Sequence, residues 1–446
     1  MNYKKTRYID NPFNNHLIFE SNELSAYLID LKNHLDVMIN NQLKYYPPTI
    51  NQILLSDGTS EEDYTIYTGP GGNLWVFWRY YLYNKSIGKD IEKSLNYFRQ
   101  SYESLYQLIK DNEKEINLNI NNTPASFFMG VVGFHTMGCI YAKEIKKIEL
   151  FRIHLKEVLR FQQNCYLQNS EDELLYGNAG YLYALLLIKQ YCESTFQINI
   201  DSNILNLFKE LYKYGKVGKS IYKLKTLIYP FPRKGSIMYS PSLYLGGAHG
   251  VFGVLYLMMK SIELIPSKNL YEENSMIEDI KCSLDELLNF QFPSGNFPCE
   301  VGDKNDELTH FCHGATGAIH TFAQGFKLFK DNKYLECIVS AGNHIWAKGI
   351  LRKGNGVCHG ISGSSYALYH IYKITNDEIW KKRSICMALA TKDKDIQEIC
   401  SYHNDPQRKT IGIPDAPFSL MEGLGGNISL ICDILIEDVK FPGYEI

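Results

Sequence analysis

No run of eighteen apolar residues occurs in the 446-residue chain, so no transmembrane helix is expected. From Met1 to Phe19 the chain is polar and lacks the apolar core of a secretory signal. Residue 2 is Asn, not Gly, and Gly443 to Ile446 contain no Cys, so neither myristoylation nor prenylation is indicated. The expectation is a soluble, cytoplasmic protein, with peripheral contact at membranes left open. An excess of charge is also missing. With 46 Lys+Arg against 49 Asp+Glu the net charge is −3, too weak a field to gather nucleic acid. The eleven cysteines are an odd number in a chain large enough to fold without staples, so most should be small buried hydrophobes in a reduced compartment.

What is present is an ordinary globular composition, 45% hydrophobic and 21% charged, which excludes disorder as the main state. Length alone favours two or three domains, but closed repeat architectures exceed that limit as one domain. A repeat is visible. Two glycines three apart, followed by an apolar, aromatic-rich segment, recur at Gly69/Gly72, Gly130/Gly133, Gly177/Gly180, Gly250/Gly253, Gly314/Gly317, Gly360/Gly363 and Gly423/Gly426. Each interval holds about two helices plus loops. The segments after the glycines are apolar on most faces, as in helices buried on all sides. Between them lie amphipathic stretches. Ile91, Leu95, Phe98, Tyr102, Leu105 and Ile109 keep a helical spacing, as do Ile277, Ile280, Leu284, Leu287 and Leu288.

Seven alternations of buried and amphipathic helix predict an all-α fold, an α/α toroid with seven inner and seven outer helices, spanning 1–446 as one domain. Ring closure leaves no terminal repeat to cap. Glycines at the inner-helix starts would let backbones approach closely, at a cost of about 0.5 to 1 kcal/mol each in helix propensity.

Equivalent motifs place the residues before each first glycine around one mouth. These are Thr68, Met129, Tyr176, His249, His313, His359 and Glu422. Two repeats add a cysteine one position earlier, giving Cys312-His313-Gly314 and Cys358-His359-Gly360. About 0.3 Cys-His pairs are expected in the whole chain by composition, so two at equivalent positions are improbable by chance. Thiolate and imidazole suit zinc, and three protein ligands with an open fourth place is the pattern of a catalytic site. A lone buried Cys is usually inert, and a lone His before a glycine usually caps or packs; the pairing is what points to metal. From Leu211 to Ile262 there is no Asp or Glu, while Lys213, Lys216, Lys219, Lys223, Lys225, Arg233 and Lys234 precede His249. Such a run is either a basic approach favouring an anionic ligand or a solvated surface loop.

The chain resembles the LanC-like family, eukaryotic relatives of the bacterial lanthionine cyclases. The likeness runs through RYIDNPF from Arg7, YTGPGG from Tyr67, ELLYGNAGYLYALL from Glu173 and GGAHGVFG from Gly246. It continues through FPSGNFP from Phe292, THFCHGATG from Thr309, RKGNGVCHGISG from Arg352 and PDAPFSLMEGLGG from Pro414. The resemblance implies one zinc per chain, held by Cys312, Cys358 and His359. It implies His249 as the catalytic histidine, His313 beside the metal, and Glu173 at an acidic position used by the bacterial enzymes. The implied reaction is conjugate addition of the glutathione thiol to dehydroalanine or dehydrobutyrine residues of peptides or proteins, giving a thioether. Glutathione would be met by Arg7 and Lys353. A further family arginine falls on Gly412, with Arg408 and Lys409 nearby, and the second repeat reads MGVVG where relatives carry an acidic residue.

The alternative is a zinc- and glutathione-binding adaptor without turnover, since family members are also linked to protein kinases. A toroidal glycoside hydrolase would need two opposed carboxylates, and the repeats bring only Glu422 to the mouth.

Overall fold

The apolar segment that follows each glycine pair is helical in the computed structural model, which describes residues 6–14, 21–55, 57–119, 123–167, 169–233, 240–265, 274–400 and 414–446. Seven such helices form an inner ring: α2 (Gly71–Ile87), α5 (Val132–Glu144), α7 (Asn178–Phe196), α9 (Val251–Leu264), α11 (Ala315–Phe329), α13 (Ile361–Thr375) and α16 (Leu424–Leu435). Each packs on the next, and α16 returns to α2, so the ring is closed. Seven more wrap it: α1 (Ser21–Tyr45), α3 (Ile91–Asp111), α6 (Ile148–Arg160), α8 (Asp201–Ile221), α10 (Asn274–Leu288), α12 (Asn332–Lys348) and α14 (Glu378–Ala390). Short helices α4 (Glu113–Leu118) and α15 (Lys394–Cys400), and a two-stranded hairpin of β1 (Gln52–Leu54) with β2 (Ser60–Glu62), sit in the connections. The toroid expected from the repeats is the fold found.

Burial follows the two sequence patterns. Every residue from Asn178 to Lys189 in α7, and from Val251 to Ile262 in α9, is buried. In α3 burial is confined to one stripe that includes Phe98, Tyr102, Leu105 and Ile109, as the three-to-four spacing requires. Outer helices α12 and α14 begin at Asp331 and Asp377, whose side chains accept from the backbone N–H groups of Lys333 and Ile379.

The recurring second glycine has one cause in all seven repeats. The loop entering each inner helix folds over its first turn, so the residue six positions earlier presses its backbone on the glycine. A Cβ at Gly133 would lie 2.0 Å from the Phe127 carbonyl oxygen, and one at Gly363 the same distance from that of Val357. The same oxygen, six residues back, is met at Gly72, Gly180, Gly253, Gly317 and Gly426. No side chain fits there.

These entry loops are bonded to one another. Ile66 N–H donates to Phe128 O (2.9 Å), Leu174 to Ala248 (3.0 Å), Gly247 to Phe311 (3.0 Å), Phe311 to Cys358 (2.8 Å), Cys358 to Met421 (2.8 Å) and Met421 to Tyr67 (3.1 Å). Between the second and third repeats the Ser126 hydroxyl donates to Leu175 O. The result is a hydrogen-bonded circlet at one end of the barrel, which fixes the backbone around the mouth. Buried Arg79 of α2 fastens the closure, its Nε 2.5 Å from Asp433 Oδ1 on α16 and its Nη2 2.7 Å from Asp438 O.

The barrel's axis is filled from the other end. Phe441 and Tyr444, beyond the last inner helix, are fully buried, with the Phe311 ring 4.3 and 4.9 Å from theirs. The chain's final segment therefore props the floor beneath Cys312.

Candidate metal centre at the barrel mouth

Residues two before the first glycine of each motif lie in or beside the circlet. At that register stand Cys312 and Cys358, with His359 next to the second. The two sulfurs and a His359 ring nitrogen all lie within 4.8 Å of one another. Ligands at 2.0–2.3 Å from one tetrahedral zinc sit about 3.5 to 3.8 Å apart, so this donor set closes on the ion with small side-chain movement. The residues fit zinc in kind as well as spacing. Cys358 is buried and is held well below the ordinary thiol range by the Cys312 hydrogen bond, with His359 and Tyr67 adding to the effect against the cost of burial. A buried thiolate beside a second thiol needs a cation. His313, the alternative histidine, is outside this group.

Three further residues meet the centre. Tyr67 donates to Cys358 and stands in the same register as the two cysteines, a signal that the repeat alignment carries and that the Cys-His pattern hid. His310 Nδ1 is 3.9 Å from Cys312 Sγ; nothing in the repeat marks it. Glu422 Oε1 lies 3.9 Å from His359 Nε2, and burial raises its pKa against the pull of His359.

Across the mouth, His249 Nδ1 is 2.9 Å from Glu173 Oε2, and Glu173 also accepts from the backbone N–H groups of Leu175 and Tyr176. With both Glu173 oxygens already accepting from backbone N–H groups, Nδ1–H is the donor to Oε2, which leaves Nε2 as the other ring nitrogen facing the mouth's chemistry. Burial alone would lower the His249 pKa, but the Glu173 hydrogen bond and charge outweigh it and raise it above 6.5. His313 is the opposite case. Burial and the neighbouring His249 bring it down to about 4, and its Nδ1 has no hydrogen-bond partner among the described residues. The two rings are 6.0 Å apart.

The basic residues come to the same end. Ile9 N–H donates to Ile350 O (2.8 Å) and Arg352 N–H to Arg7 O (3.1 Å), which lays the segment carrying Arg7 beside the loop carrying Lys353. Both charges help depress the pKa of His310, after burial and His359. Arg7 is half-exposed, with Nε 3.6 Å from Glu307 Oε2. Asn355 and Gln397 exchange two hydrogen bonds of 3.0 Å, so α15 braces this loop from outside. Gly412, Arg408 and Lys409 lie outside the described residues. Among the described residues, part of the charge of the acid-free run is committed elsewhere. Its first part is outer helix α8, where Lys213 pairs with Glu210 and Lys219 with Asp279, and the Arg233 guanidinium is spent on Asp172 and Ser170. Lys234 is outside the described residues.

The comparison with known families decides the lineage: residues 60–446 match the model of the lanthionine synthetase C-like protein. The chain belongs to that family. It is 29% identical over 392 residues to glutathione S-transferase LANCL1 of Danio rerio, covering 86% of this chain and 85% of the relative. It is 30% identical over 278 residues to LanC-like protein GCL1 of Arabidopsis thaliana, covering 61% of this chain and 58% of that one. Among solved structures, nisin cyclase superposes with a TM-score of 0.59 at 14% identity, over 92% of this chain and 98% of that one, a likeness of fold. Among the described residues of this LanC-like chain no helix is long and apolar enough to cross a membrane.

Proposed function

We propose that this LanC-like chain, one toroidal domain, is a zinc-dependent transferase that adds the thiol of glutathione to dehydroalanine or dehydrobutyrine residues. The observation that carries the reading is the pairing, at one mouth, of a Cys312/Cys358/His359 donor set with a carboxylate-oriented histidine, His249. The name of the Danio rerio relative supports glutathione as the thiol. Zinc, held by Cys312, Cys358 and His359 with a fourth position open, would supply a thiolate at neutral pH.

His249 Nε2 accepts the proton released from the glutathione thiol, and Glu173 stabilises the imidazolium that results. The sulfur–Cβ bond then forms as the Cα=Cβ π bond opens, and its electrons pass onto the acceptor's carbonyl oxygen. His313, neutral, donates a hydrogen bond to that oxygen from Nε2, the ring nitrogen opposite the buried Nδ1. His249 returns the proton to Cα, so thiol and alkene become a thioether with nothing left over. Arg7 and Lys353 hold the carboxylates of glutathione.

A single-turnover assay with glutathione and a dehydroalanine peptide tests this by mass spectrometry. The expected result is a thioether adduct that depends on zinc and on His249. Zinc and glutathione bound without adduct would refute the enzyme and favour the adaptor.

A further inference from the structure

His249 borders a cavity of about 480 Å³ whose lining includes neither Cys312 nor Cys358. Its walls are the 123–125 loop, residues 169–171, and the side chains of Tyr176, Asn178 and Phe231. That volume is within the range that holds a short peptide. The Tyr176 ring lies 6.3 Å from that of Phe231 and 6.4 Å from that of His249, nearly parallel to both, and Phe231 is 5.1 Å from His249. A dehydroamino acid is a flat conjugated amide, which suits an aromatic face leading to the proton-transfer group.

The charge of this cavity is set by three successive carboxylates with different fates. Asp172 is taken by the Arg233 guanidinium and Glu173 by His249. Glu171, part of the lining, accepts from the backbone N–H of Arg233 at 2.7 Å, with no side-chain cation bonded to it among the described residues. Among the described residues Glu171 is thus the one carboxylate in the cavity's lining, whereas Arg7 and Lys353 lie on the metal side.

Building on the proposed addition, we infer that this cavity is the acceptor site. A peptide enters with its dehydroamino acid against Tyr176 and Phe231, and Glu171 selects neutral or basic flanking residues while turning away anionic ones, glutathione included. The two substrates are thus sorted by charge.

The test uses the zinc-loaded full chain and dehydroalanine peptides of equal length flanked by Lys, Ala or Glu, with affinity read by calorimetry at low salt. A two-charge difference at about 5 to 6 Å in water-like surroundings predicts that the Lys-flanked peptide binds about tenfold tighter than the Glu-flanked one. Glu171→Gln keeps the acceptor for Arg233 N–H and should shrink that ratio to about twofold without changing glutathione affinity. Tyr176→Ala, which removes a half-exposed ring, should weaken all three peptides alike. Equal binding of the Lys and Glu peptides, an undiminished ratio in Glu171→Gln, or no peptide binding would each overturn the acceptor site. A charge-selective peptide that binds but forms no thioether would instead sink the addition reaction and leave the acceptor site standing.

Discussion

Replacing Glu445, the penultimate residue, by Gln should destabilise the barrel far more than a change at a chain end ordinarily does. Glu445 is 3% exposed, and its carboxylate accepts from Lys373 Nζ (2.7 Å), the Phe441 backbone N–H (2.9 Å) and His370 Nδ1. Despite burial, the adjoining His370 and Lys373 hold its pKa well below the ordinary carboxylate range. Burial lowers the His370 pKa against the pull of Glu445, and Lys373 supplies a compensating charge. Gln retains the shape and one acceptor but leaves Lys373 without its counter-charge. Removing one partner of a buried pair costs about 3 to 5 kcal/mol, and because Lys373 is partly exposed the expectation is about 3 kcal/mol at pH 7. A pKa depressed on folding contributes stability that is complete above the unfolded value near 4.3 and is lost as pH falls through the folded value. The wild-type advantage over Glu445→Gln should therefore be constant from about pH 7 to 5 and shrink below about pH 4.3. Denaturant midpoints for both proteins across that range read the difference directly. Phe441 and Tyr444 prop Phe311, so zinc retention in the variant should fall at lower denaturant than in the wild type. A difference below about 0.5 kcal/mol at pH 7, or one that does not change down to pH 3, would refute the role given to this carboxylate.

Cys312→Ala and Cys358→Ala should each lose the zinc while Cys139→Ala, a buried packing cysteine on α5, keeps it; equal loss in all three by metal analysis would remove the centre from these residues. His359→Ala should lower zinc content and rate together, whereas His249→Ala should keep zinc and lose about 10²- to 10⁴-fold in rate. Full activity of folded, zinc-loaded His249→Ala would eliminate the proton-transfer role. In Glu173→Gln the His249 pKa should fall, since the charge that raises it is gone, so the acid limb of the kcat/KM profile moves to lower pH; an unmoved limb contradicts the pairing. Gly363→Ala should cost about 2 to 3 kcal/mol and loosen zinc, because its Cβ would strike the Val357 carbonyl beside Cys358; unchanged melting and zinc content would refute the close-packing argument.

The sequence by itself determined the toroid and the location of its chemistry, because both rest on requirements met within a few residues. Each entry loop presses a carbonyl onto a position three residues after the first glycine, so the same small residue is demanded seven times and the repeat is printed in the chain. Buried and one-sided helices differ in where their apolar residues fall, which separated the two rings before any contact was known. The Cys-His pairs drew attention by standing at equivalent places in two repeats. What the chain could not declare is what depends on residues far apart meeting. The repeat pattern alone did not separate His313 from His359; the family resemblance pointed to His359, and the fold brings its ring to the two sulfurs while His313 faces His249. Tyr67 reaches Cys358 only because the last repeat closes on the first. The lysines after Leu211 read as a basic run until α8 set Lys219 against Asp279 of another outer helix. The closing FPGYEI has no period to mark it as core; only the barrel's lumen, an apolar space that exists after seven helices have closed, turned Phe441, Tyr444 and Glu445 inward.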